Sequence, residues 1–70
     1  MKIVIVGCGR VGSRLALRLE AQGHEIVILD EVREAFLRLG TEFKGTAIQG
    51  SGLDREVLER VLKGGADMVL

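Results

Sequence analysis

Lys2-Ile3-Val4-Ile5-Val6-Gly7-Cys8-Gly9-Arg10-Val11-Gly12 is the stretch from which the rest of this chain can be read. It begins with four β-branched residues in a row after Lys2, closed by a glycine. Side chains of this kind are stiff at χ1 and suit a pleated strand better than a helix. A run that is apolar at every position has no solvent face, so the strand is expected to be covered on both sides, as in parallel sheets. The glycines are spaced G-x-G-x-x-G and lead into Val11, Leu15 and Leu19 at intervals of four. Ala16 and Leu17 widen that stripe, and Arg14, Arg18 and Glu20 flank it. An amphipathic helix is therefore expected from Arg10 to Gln22, with Gly23 as a left-handed cap.

The alternation continues. Glu25-Ile26-Val27-Ile28-Leu29 reads as a second buried strand ending at Asp30, and Val32–Leu39 as a second helix with Val32, Ala35, Phe36 and Leu39 on one face. Thr46–Gln49 is a short, half-apolar strand suited to a place near the sheet edge. Asp54 is a natural N-cap for a third helix with the stripe Val57, Leu58, Val61 and Leu62. Gly64-Gly65 ends that helix, and Asp67-Met68-Val69-Leu70 begins a fourth strand. The order β-α-β-α-β-α-β with short connections implies an α/β fold. It is expected to be a doubly wound, Rossmann-like parallel sheet in the order 3-2-1-4. Seventy residues hold only the first half of such a domain, so residues 1–70 are expected to be the N-terminal half of a dinucleotide-binding domain.

Composition removes other classes. Ten basic and ten acidic side chains leave no net charge to recruit nucleic acid, and Phe36 and Phe43 are the only aromatics on which bases could stack. Ile3–Val6 is far short of the roughly 20 apolar residues that span a membrane. A lone cysteine, Cys8, builds no disulfide framework and points to a reducing, cytosolic setting.

The glycine motif stands after a buried strand and opens a helix, the context that gives it meaning. Gly7 permits the tight turn, Gly9 lets backbone approach a pyrophosphate, and Gly12 lets helix and strand pack closely. The free N–H groups of the first helical turn then face the phosphates. Asp30, 18 residues after Gly12, is placed to accept from ribose hydroxyls. Its charge opposes a 2′-phosphate, and the next basic residue is Arg33, so NADP is disfavoured. NAD or NADH fits, and ATP or ADP, which also carry a free ribose diol, stay compatible. Asp30 also has a plainer reading as a cap after a strand.

Glu31 joins Asp30 in the candidate set. Gly50-Ser51-Gly52 follows the third strand at the ligand end of the sheet and is either an adenine-side contact or a glycine-rich turn. Arg10 either reaches a phosphate or a neighbouring subunit, or is solvated. Val11 lies within the motif. Cys8, near a helix N-terminus, admits a redox role beside that of a small residue tolerated in the loop. His24 precedes the second strand and so lies at the opposite end, badly placed as a general base.

With these residues placed, the chain resembles the N-terminal nucleotide-binding domain of Trk-type potassium-uptake proteins, the regulator-of-potassium-conductance family. The family's first motif commonly reads G-x-G-R-x-G, which Gly7-Cys8-Gly9-Arg10-Val11-Gly12 fits, and Asp30 matches its acidic residue. Gly50, Asp54, Leu58 and Ala66-Asp67 fit its third-strand frame; Ser51 and Gly52 depart where Asp and Ala are usual. The resemblance implies a cytoplasmic regulatory subunit that binds NAD(H) or ATP/ADP and assembles into homo-oligomers. It also implies peripheral contact with the membrane through a potassium transporter subunit, without insertion.

The alternative is the cofactor-binding half of an NAD-dependent dehydrogenase, whose catalytic acid or base would have to come from elsewhere. A third reading is a structural α/β unit. Met68–Leu70 is expected to meet a second copy or further chain along its open edge.

Overall fold

The strands of this chain form because alternate residues are claimed by opposite faces of one sheet. The computed structural model describes residues 1–70. β1 (Lys2–Val6) pairs in parallel with β2 (Glu25–Asp30), setting Ile3 opposite Ile26 and Ile5 opposite Ile28. β3 (Thr46–Gln49) adds to β2 and β4 (Met68–Val69) to β1, giving the expected order β3-β2-β1-β4 with every pair parallel. Ile3, Ile5, Ile26 and Ile28 bury one face of the sheet, together with Ala16, Ala35 and Leu39. Val4, Val27 and Leu29 bury the other against Val61. Both faces of the two central strands are thus dry, which is why their sequences are apolar without alternation.

Helix α1 (Arg10–Ala21) and the 3-10 helix Arg33–Leu39 cover the first face, and α2 (Arg55–Leu62) covers the second. The chain therefore winds β1-β2-β3 on one side and returns on the other to set β4 beside β1. Gly23 is the left-handed cap of α1 that the sequence implied, at φ +93°: it donates to Glu20 O at 2.9 Å and His24 donates to Leu19 O at 3.2 Å, the paired bonds of a Schellman cap. His24 is held there, at the start of β2, as its place in the sequence implied.

Local expectations for the first two helices are corrected. α1 stops at Ala21 with Gln22 as its cap, and Val11 is 80% exposed instead of facing the core. Small residues are the cause: Gly12, Ser13 and Ala16 form the approach face, and the close contact they permit turns Val11 outward. The second helix is 3-10, begins after Val32, and leaves Val32 exposed. Its ends close with bonds from Ala35 to Val32 O and from Gly40 to Leu37 O, each spanning three residues. Seven residues are too few to favour an α-helix on their own, and the tighter winding still buries Ala35 and Leu39. No helix is long and apolar enough to cross a membrane.

Candidate functional site

At the carboxyl ends of β1, β2 and β3 the chain makes three turns that meet around one cleft. β1 ends at Val6, and Gly7, at φ +107°, donates its N–H to Leu29 O at 2.6 Å. A left-handed residue is needed there to turn the chain from the strand toward the helix. The turn is closed from the other side by Gly12, where an added Cβ would overlap the Gly7 carbonyl oxygen and reach Ile5. Gly9 is the N-cap of α1 and contributes no side chain; its carbonyl accepts from Ser13 N–H at 2.9 Å. The backbone N–H groups of Arg10, Val11 and Gly12 find no partner in the chain, and no acidic residue stands in this first turn. α2 is different: Asp54 accepts from the N–H groups of Glu56 and Val57.

Asp30 ends β2 as the hub of the site. Its Oδ2 accepts from Cys8 N–H and its Oδ1 from Val32 N–H, each at 2.7 Å. Those two bonds hold its carboxyl below the usual carboxylate range; partial burial opposes the shift and the charge of Arg38 adds to it. The capping role open to Asp30 from its sequence is thus realised. Each oxygen keeps acceptor capacity beyond its one backbone bond. Asp30 O also accepts from Gly50 N–H at 2.9 Å, and Gln49 Nε2 donates to Glu31 O at 3.3 Å, tying the third turn to the second.

The third turn is shaped by Ser51, whose Oγ accepts from Leu53 N–H at 3.1 Å and whose carbonyl accepts from Asp54 N–H at 3.1 Å. Gly52 sits so close to β1 that an added Cβ would stand 2.6 Å from Val6 Cγ1. Between the turns lies a cleft of about 300 Å³. Val6 and Gly7 line it from the first turn, Leu29, Asp30 and Glu31 from the second, and Gly50 to Leu53 from the third.

Of the sequence-read residues, Gly7, Asp30, Glu31, Gly50, Ser51 and Gly52 therefore share one cleft. Cys8, Gly9, Arg10, Val11 and Gly12 form the adjoining turn and helix start and do not line it. Cys8 is fully buried; its Sγ donates to Ala35 O at 3.3 Å. Burial, reinforced by the Asp30 charge, pushes its thiol up and Arg38 only partly offsets this, so the redox reading of Cys8 falls. Its N–H, committed to Asp30, is not free for a phosphate either. The side chain of Val11 faces a separate shallow groove with Arg14, Leu15 and Arg18, leaving only its backbone toward the helix end.

Sequence reading missed the apolar walls Val6 and Leu53. Val6 looks like an ordinary strand residue, and Leu53, 96% exposed, carries no pattern that marks it. It also missed Arg38, which the 3-10 helix carries back so that Nη1 donates to Cys8 O at 3.5 Å.

Fold and site together define a class: a doubly wound, Rossmann-like α/β unit with its cleft at the carboxyl ends of a parallel sheet. Within that class the TrkA-N domain family model matches residues 3–70, and the chain belongs to that family. It is 50% identical over 58 residues to the Trk system potassium uptake protein TrkA of Streptomyces coelicolor, covering 83% of this chain and 26% of that protein. A TrkA homolog from Pyrococcus horikoshii is 39% identical over 59 residues, again 84% of this chain and 26% of the relative. The chain thus spans about a quarter of the length of these relatives. Among solved structures, N5-carboxyaminoimidazole ribonucleotide synthetase from Thermotoga maritima superposes with a TM-score of 0.70 at 24% identity, covering 97% of this chain and 18% of that one. That likeness is one of fold.

Proposed function

We propose that the chain is a regulatory nucleotide-binding module, the N-terminal half of a dinucleotide-binding domain serving a potassium uptake system. Its ligand in this reading is NAD or NADH, with ATP or ADP as the alternative. The observation that carries the reading is the uncapped start of α1 beside the Asp30 cleft. Three backbone N–H groups there lack partners, while α2 of the same chain is capped by a carboxylate. Unpaired donors backed by a helix dipole are a seat for phosphate oxygens. Asp30 retains lone pairs for the two ribose hydroxyls, and the exposed apolar surfaces of Val6 and Leu53 suit the faces of a purine.

Regulation in place of turnover is favoured by what the cleft contains. Its only ionisable side chains are Asp30 and Glu31, and His24 stands at the other end of β2. Asp30 is held as a low-pKa carboxylate by two backbone N–H groups and is the ribose acceptor in this reading, so the dehydrogenase alternative would draw the acid or base beside its nicotinamide from elsewhere. The cleft is built from three separate turns, so a nucleotide that touches all three favours one arrangement of them, a shift of population that an oligomer or transporter subunit can read. The relatives' names, Trk system potassium uptake protein, support a potassium uptake system as the setting, in which this reading makes a membrane potassium transporter the partner and the cytoplasm the location.

Calorimetric titration of the chain with NAD, NADH, ATP and ADP tests this reading. At least one of these is expected to bind, and Asp30→Asn is expected to weaken it about tenfold through loss of a charge-assisted hydrogen bond. Equal affinity in wild type and Asp30→Asn removes the ribose assignment.

A further inference from the structure

Arg38 is the one cation that the fold brings to the glycine turn from a distant element. It lies eight residues beyond Asp30, on the 3-10 helix, and thirty positions along the chain from Cys8. Its one side-chain hydrogen bond runs from Nη1 to Cys8 O at 3.5 Å, and the same Cys8 donates its N–H to Asp30 at 2.7 Å. Arg38 and Asp30 are therefore held by opposite sides of one peptide segment. Their charges are felt by each other, and Arg38 is among the causes that keep the Asp30 carboxyl ionised. A guanidinium has five N–H donors in a planar fork, and all but one are uncommitted here.

The two side chains oppose each other in what they recognise. A carboxylate accepts from the 2′- and 3′-hydroxyls of a ribose and repels a phosphate at the 2′ position. A guanidinium fork matches that phosphate. Read along the sequence, Asp30 stands alone, because the next basic residue is Arg33. Folding changes that, since the register that buries Ala35 and Leu39 returns Arg38 to the turn.

Resting on the nucleotide reading above, we propose that Arg38, held at the glycine turn beside the cleft and not among the residues that line it, is a specificity-determining residue for the ligand of this cleft. It is a ligand for a 2′-phosphate held in check by Asp30, so the balance of the two side chains sets how strongly a free ribose diol is preferred.

The balance is read by titrating NADH against NADPH, and ADP against 2′-phospho-ADP, on the same chain. Wild type is expected to prefer the diol member of each pair. Arg38→Gln is expected to widen that preference about tenfold, the low end for a charge-assisted contact at an exposed side chain. Arg18→Gln, the same change of charge in the last turn of α1, is expected to leave the ratio where it was. Asp30→Asn should narrow the preference, and adding Arg38→Gln to it should remove the narrowing. Circular dichroism shows whether Asp30→Asn folds; if it does not, the comparison of Arg38→Gln with Arg18→Gln decides alone. An unmoved ratio in Arg38→Gln, or an equal shift in Arg18→Gln, overturns the role of Arg38 while diol nucleotides still bind. Failure of every nucleotide to bind wild type overturns the nucleotide reading and Arg38 with it.

Discussion

The Asp30 carboxylate ends β2 with both oxygens already engaged by backbone, one from the glycine turn and one from the residue that precedes the 3-10 helix. It fixes the first turn in place before any ligand arrives, and so preorganises the cleft it also lines. The cost of that arrangement is acid sensitivity. Its folded-state pKa lies below the unfolded value of about 3.9, so the unfolded chain binds the proton more readily. The stabilisation is therefore complete above that pH and is lost as pH falls through the lower, folded value. Urea midpoints of wild type are expected to fall more steeply than those of Asp30→Asn when pH is lowered from 5 to 3, about the interval in which such a carboxyl titrates. Parallel curves for the two proteins would show that the two short bonds carry no net stabilisation.

Among the elements, the two α-helices begin in contrasting ways, and the contrast is measurable. α2 starts with Asp54 accepting from Glu56 and Val57, so Asp54→Ala is expected to lower unfolding free energy by about 1 kcal/mol in a denaturant titration. No equivalent loss is available at Gly9, which supplies no capping side chain to α1. This difference was half legible in the sequence: Asp54 before a clean apolar stripe announces a cap, and Gly9-Arg10-Val11-Gly12 announces a helix without one. The strands were fully legible, because runs such as Ile3–Val6 and Ile26–Leu29 are apolar for a reason that acts residue by residue. The rotation of α1 was not, since it depends on how closely Gly12 meets the Gly7 carbonyl and hence on two elements at once. Arg38 was illegible for the same cause. Its place is set by the 3-10 winding, which a pattern of apolar residues at Ala35, Phe36 and Leu39 does not distinguish from an α-helix.

At the scale of the whole molecule, three layers are closed above and below the sheet but open along its two edges. β3 presents mostly exposed residues on one side, of which only Ile48 is a half-buried large apolar group. β4 is the more apolar edge: Met68, Val69 and Leu70 are 42%, 52% and 48% exposed. Leu70 already bonds to β1, donating to Val4 O and accepting from Val6 N–H, each at 2.8 Å, so the outer groups of this strand lie ready for another strand. An exposed apolar edge of this kind pairs with whatever strand meets it, and a lysine on the edge is an effective block. The 70-residue chain is therefore expected to self-associate at tens of micromolar, a concentration at which about 6 to 7 kcal/mol of association free energy is half-saturating. Light scattering follows this directly, and Val69→Lys should return the chain toward monomer while leaving Asp30 and the glycine turn intact. A wild-type chain that stays monomeric throughout that range would mean that the exposed side chains of β4 do not suffice to recruit a second copy.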